Sequence, residues 1–261
     1  MMMLSGLAVI LTNLLVLALL FGIWRFIRSR GPMTAAKLRR TISWCDTAPS
    51  DVLPCGGELG ATAALLRALE AGGTERDLIR ALFVRWAQQK AIFVGRAPKK
   101  KLRSFGADLQ AELSIPEEMP VMDGAQQLLY GTICEWVAPE DGTLQQSELY
   151  QAARQDAERV DNRLRQLIQE GNRALREMGG ATPERKKVAP GMEEQEIYTA
   201  KGVRLARQCV AYVKFTQQAP SLRGEAAVLA AAMGRIDPED PVCVLADALF
   251  DGLQAGLQAG R

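Results

Sequence analysis

Apolar and polar positions divide this chain into unlike parts. Leu4 to Ile23 is an unbroken run without a charged side chain, and about 20 apolar residues in helical form cross a bilayer core. Arg25, Arg28, Arg30, Lys37, Arg39 and Arg40 follow on the C-terminal side only. The positive-inside rule then places the body of the chain in the cytoplasm and the N-terminus outside. Trp24 and Phe26 suit an interfacial aromatic anchor, with Arg25, Arg28 and Arg30 as its basic flank. A cleaved signal peptide fits less well. Nothing basic precedes the run, and Trp24-Arg25-Phe26-Ile27 stands where a small-residue cleavage site would fall. Residues 1–27 are therefore read as one transmembrane helix of an inner-membrane, single-pass protein. Asn13 and the Ala18/Gly22 pair offer a weak route to dimerisation through the span.

Beyond the anchor the periodicity becomes that of a water-soluble body. Residues 28–57, with Pro32, Pro49, Pro54 and Gly56-Gly57, read as a basic flank and a Pro/Gly tether, with one short helical piece at Thr34 to Ile42. Leu59, Ala63, Leu66 and Leu69 recur at helical spacing and stop at Gly72-Gly73. Thr74 and Asp77 form a capping pattern for a helix whose stripe is Leu78, Ile79, Leu82, Phe83 and Trp86. Ala91 to Val94 reads as a strand, Pro98 to Lys101 as an exposed turn. From Phe105 the alternation Phe105, Ala107, Leu109, Ala111, Leu113 then marks a half-buried strand. Helix, helix, strand, basic turn, strand is the order of a winged-helix module, at 58–115.

A second module, its wing reduced or lost, is predicted at 121–179. Ala125 to Val137 forms a helix, Gly142 to Leu144 a short strand, Ser147 caps a brief helix, and a longer one runs from about Asp156 to Met178. Residues 180–197 read as a loop. A C-terminal helical segment, 198–261, opens at the cap Thr199 and continues through an alanine-rich helix. It ends in Leu253-Gln254-Ala255-Gly256 and its direct repeat, read as a frayed helical end. The expected fold is mainly α with a small β component (α+β): a transmembrane helix, two winged-helix-like modules and a helical tail.

Composition removes more functions than it adds. The charges nearly balance, with 32 basic against 30 acidic residues, so no global field points to nucleic acid. There is no histidine, which excludes Ser-His-Asp and Cys-His nucleophile pairs and imidazole metal sites. The five cysteines show no C-x-x-C spacing, and a reducing compartment disfavours disulfides. No phosphate-binding glycine loop is present. No catalytic residue, cofactor or metal is expected, and an enzyme is the minority reading.

The segments RDLIRALFVRWAQQKAIFV (Arg76–Val94), YTAKGVRLARQCVAYVKF (Tyr198–Phe215) and VLAAAMG (Val228–Gly234) together resemble the cytoplasmic part of a bacterial predicted-membrane-protein family, domain of unknown function 2207. The resemblance implies a proline-rich tether leading from a membrane helix into a helix pair and strand. It brings no catalytic residues. Family members often insert further spans before the T-x-x-G helix; here Glu184, Arg185, Lys186, Lys187, Glu193 and Glu194 occupy that place, and no second crossing fits.

Lys99, Lys100, Lys101 and Arg103 sit on the predicted wing, where they could touch phosphate or the anionic inner leaflet. Arg154, Arg159, Arg163, Arg165, Arg173 and Arg176 decorate the long helix, but interleaved Asp156, Glu158, Asp161, Glu170 and Glu177 oppose a phosphate-tracking stripe. DNA binding is thus disfavoured. Trp44, Trp86 and Trp136 read as packing residues, and Cys134 and Cys209 as small buried hydrophobes. The favoured expectation is a membrane-tethered module that binds a protein partner, with a DNA- or lipid-surface-binding regulator as the alternative.

Overall fold

Local capping chemistry sets most helix starts in this body, and a shared apolar core decides how the helices stack. The computed structural model describes residues 32–98, 109–116, 122, 124–137, 142–188, 191–219 and 221–260. The predicted span 1–27, with Trp24, Arg25, Arg28 and Arg30, lies outside the described residues, as do Lys99, Lys100, Lys101 and Arg103. Among the described residues, no helix is long and apolar enough to cross a membrane.

The elements are α1 (Ala35–Thr41), a 3-10 turn (Pro54–Gly57), α2 (Leu59–Leu69), α3 (Glu75–Gln88), β1 (Phe93–Pro98), β2 (Leu109–Ser114), α4 (Gly124–Trp136), β3 (Thr143–Gln145), α5 (Gln146–Gln155), α6 (Ala157–Glu177), β4 (Ala181–Val188), β5 (Gly191–Tyr198), α7 (Ala200–Gln218), α8 (Glu225–Ala232) and α9 (Pro241–Ala259). The fold is mainly helical with small antiparallel sheets. Thr74 and Asp77 close a reciprocal capping box on α3, and the Thr199 hydroxyl accepts from Gly202 N–H at 3.1 Å, as their spacing predicts.

The core is continuous from Leu38 in α1 to Leu253 in α9. Trp86 is fully buried and meets Tyr130 edge-on at 5.4 Å between ring centroids. Tyr130 donates its hydroxyl to Ala91 O at 2.7 Å, satisfying the polar end of a buried ring. Helix α9 packs along α5 and α3. Arg80 fastens it with a two-pronged pair to Asp247, at 2.8 and 2.7 Å.

Several expectations change. Residues 180–197 are not a loop: β4 and β5 form an antiparallel hairpin, in register from Ala181↔Tyr198 to Val188↔Gly191. The tether is also not free chain from residue 32 onward. Leu38 and Ile42 are buried, and Ser50 N–H donates to Ala211 O at 3.1 Å, because α1 and its sequel cover apolar surface on α2 and α7. The tail is not frayed. α9 runs unbroken to Ala259, and its small residues are the reason: a Cβ on Gly252 or Gly256 would overlap the carbonyl oxygens of Tyr150 or Arg154 on α5. Ser147 does not cap α5; Gln145 holds that position, and the serine hydroxyl bonds Gln110 at 3.2 Å.

The sheet also crosses the boundary expected at Pro116 to Pro120. β3 pairs with β2, Leu113 opposite Leu144, giving one three-stranded sheet in the order β1-β2-β3. Ala111, Leu113 and Leu144 are buried, and this sheet rests against α9.

Candidate functional site: an amide-lined groove along α6

Helix α6 is long, polar on one side and buried on the other, with Val160, Leu164 and Leu175 in the core. Its outer side faces the start of α4 across an open groove of about 940 Å³. Gly124 opens α4 with φ 61°, a left-handed turn that glycine adopts without strain. Glu170 of α6 then caps the helix, accepting from Ala125 N–H at 3.1 and 3.0 Å through its two oxygens. A carboxylate at a helix N-terminus meets unpaired amides and the positive end of the dipole. This long-range cap fixes the distance between the groove walls.

The lining is unusual in its amides. Gln127 comes from α4, and Gln166, Gln169 and Asn172 from α6. Each amide offers both a carbonyl acceptor and two N–H donors. Leu128, 44% exposed, adds an apolar foothold. At the far end Arg176 pairs with Glu196 of β5, Nε to Oε1 at 2.8 Å. The second oxygen of Glu196 is buried without a hydrogen-bond partner among the described residues. Gln166 and Gln169 also line a neighbouring depression of about 640 Å³ that contains Arg163 and Asn162, so the polar surface continues along the helix.

The charges on α6 are largely answered within the protein. Arg159 forms a two-pronged pair with Glu135 at 2.6 and 2.8 Å, and its guanidinium holds the Glu135 carboxyl below the usual range. Arg165 pairs with Asp161 at 2.8 Å and Arg173 with Glu177 at 3.7 Å. Four arginines of the predicted basic row, counting Arg176, therefore face carboxylates. Such a surface follows polar backbone better than phosphate.

The sequence-predicted contacts Lys99, Lys100, Lys101 and Arg103 belong to the connection between β1 and β2, outside the described residues. The described tryptophans are packing residues: Trp86 is in the core, Trp44 and Trp136 pack against it, and Trp136 donates to Asp156 at 2.9 Å. Sequence reasoning missed the groove itself, because its walls come from helices whose closeness depends on the Glu170 cap. It also missed a thiol pair. Cys55, at φ 52° in the 3-10 turn, meets Cys209 of α7, both buried; the hydrogen bond between them lowers the Cys55 thiol pKa and raises that of Cys209.

Chemically, the groove can hold and orient a polar chain. Among the described residues, no group of His, Cys, Asp or Glu is arranged to hold a metal. No protein-family model, curated protein or solved structure matches this chain.

Proposed function

We propose that this chain is a single-pass membrane protein, N-terminus outside, whose cytoplasmic body docks a protein partner through the α4–α6 groove. The body is read as winged-helix-like. α2, α3, β1 and β2 follow the helix-helix-strand-strand order of one module. α4, β3, α5 and α6 follow the helix-strand-helix-helix order of the second, with β3 paired onto β2 of the first. The resemblance to domain of unknown function 2207 belongs to the same proposal and adds no chemistry.

The observation that carries the docking reading is the amide lining with its exposed Leu128. Side-chain amides match the alternating donors and acceptors of an extended peptide, and an apolar foothold gives one anchor point. DNA binding is the weaker reading, because the α6 arginines are paired with carboxylates and lose their claim on phosphate. A lipid-surface role for Lys99 to Arg103 remains the other alternative, and no catalytic role is proposed.

A photo-reactive amino acid at Gln169 of the full chain, in its native membrane, tests the docking site. The expected result is one discrete protein adduct, absent when the probe replaces Lys90 outside the groove. No adduct, or equal adducts at both positions, overturns the proposal. Reporter fusions at the C-terminus test the topology independently; an external reporter signal overturns it.

A further inference from the structure

Two stretches of this chain carry cations and no acid, and the fold brings them together. Through Cys45 the sequence holds six basic residues and no acidic one; Asp46 is the first. Helix α7 carries Lys201, Arg204, Arg207 and Lys214, again with no acid. The segment that contains α1 is pinned to the end of β5 on one side and to α7 on the other. Tyr198 N–H, just ahead of α7, donates to Met33 O at 2.8 Å. Farther along, Lys214 Nζ donates to Thr47 O at 2.8 Å and Ser50 N–H to Ala211 O. Arg204, Arg207, Ala211 and Lys214 recur at helical spacing, so the two arginines share the flank that receives this segment.

Acidic side chains there are few: Glu70 is paired with Arg39, Glu196 is paired with Arg176, and the exposed Asp46 and Asp51 lie at the Lys214 end of the segment. Arg40, Lys201, Arg204 and Arg207 are exposed, and none pairs with an acidic side chain among the described residues. Like charges gathered on one face raise a local potential that a negative surface lowers. The position of this face supplies such a surface. The described residues begin at Pro32, and the five residues that separate it from Ile27, the end of the predicted span, reach at most about 18 Å. On the anchor reading, which this inference rests on, the α1–α7 face lies next to the headgroups of the inner leaflet.

We infer that the α1–α7 face binds anionic lipid headgroups and holds the body against the bilayer in one orientation. The basic residues that matter are Arg40, Lys201, Arg204 and Arg207, and Lys37 on α1 joins them. The site differs from the wing lysines in residues and in place, because it surrounds the point where the chain enters the body.

The test uses the full chain in lipid nanodiscs. Cys45 is exposed, lies within the docked segment, and takes a donor dye in a Cys134→Ala background. An acceptor dye on the lipid headgroups reports their separation. Energy transfer is expected to be higher in discs containing phosphatidylglycerol than in neutral phosphatidylcholine, and to fall to the neutral value in high salt. Replacing Lys201, Arg204 and Arg207 together by Gln lowers the docked-to-free ratio about a hundredfold, at about fivefold per charge. Equal transfer in both lipids for the unsubstituted chain overturns the inference, as does a triple variant that behaves like it. The lipid and salt dependence of the unsubstituted chain stands without the variant, should the variant misfold. If the chain fails to enter the discs at all, the anchor reading falls and takes this inference with it. If it enters and shows no charge dependence, only the inference falls.

Discussion

The two hairpins of this protein are built on opposite terms. β1–β2 is sandwiched into a sheet: β3 extends it on one side, and Ala111 and Leu113 are pressed into the core beneath it. Among the described residues, β4–β5 has no third strand. Among its described side chains, those of Ala181 and Tyr198, at its base, are buried. There Thr199 Oγ1 donates to Gly179 O at 2.6 Å, and Gly202 lies against the Gly180 carbonyl. One hairpin is held along its face, the other at its root. Strand formation and burial of a face are therefore separate events, and only the second leaves an alternating apolar pattern.

Truncation of the buried face gives the largest effect. Leu113→Ala is expected to cost about 3 kcal/mol, since a fully buried leucine leaves a cavity, read as a lower urea midpoint. A loss below 1 kcal/mol would mean that β1–β2 is not held by its face. Second in size is the root of the other hairpin. Gly202→Ala adds a Cβ that overlaps the Gly180 carbonyl oxygen, and the expected net loss is about 2 kcal/mol. Helix propensity alone predicts a gain of about 1 kcal/mol, so the sign decides the matter. Faster amide exchange confined to β4–β5 should accompany it.

The smallest effect is a pH dependence of that same root. Burial first, and the Glu196 carboxylate second, push the Tyr198 phenol up to about 12 from its ordinary 10.0. The neutral form is the one the fold favours. Its contribution is fully present below pH 10.0 and is lost as pH rises toward about 12. The protection of the Ile197 amide, with exchange corrected for its hydroxide-catalysed intrinsic rate, should therefore fall between these limits, while that of Leu113 does not. Tyr198→Phe should abolish the difference between the two hairpins' pH profiles.

What the sequence discloses follows the same division. Thr74 and Thr199 announce helix starts because a cap is made by residues three apart. Ala111 and Leu113 announce a strand because one of its faces is covered. β4–β5 carries charges along most of its length, so period-two reasoning sees a loop. The signals left were Pro190-Gly191, a turn pair, and the opposition of Arg185 and Lys186 to Glu194 and Glu193 once the strands are aligned. The groove was hidden for another reason. Glu170 reads as a solvated charge until α4 is known to begin beside it. Cys55 and Cys209 likewise become a pair only when the 3-10 turn docks on α7. The docking of residues 33–50 was masked by the prolines around it, which read as slack although Leu38 and Ile42 are core residues.

That docked stretch has a mechanical consequence. A pulling force applied at Pro32 meets no compliant spacer; it loads the Met33–Tyr198 hydrogen bond and the buried Leu38 at once. Tension from the N-terminal side would thus arrive at the root of β4–β5 and the start of α7 before any other part of the body stretches.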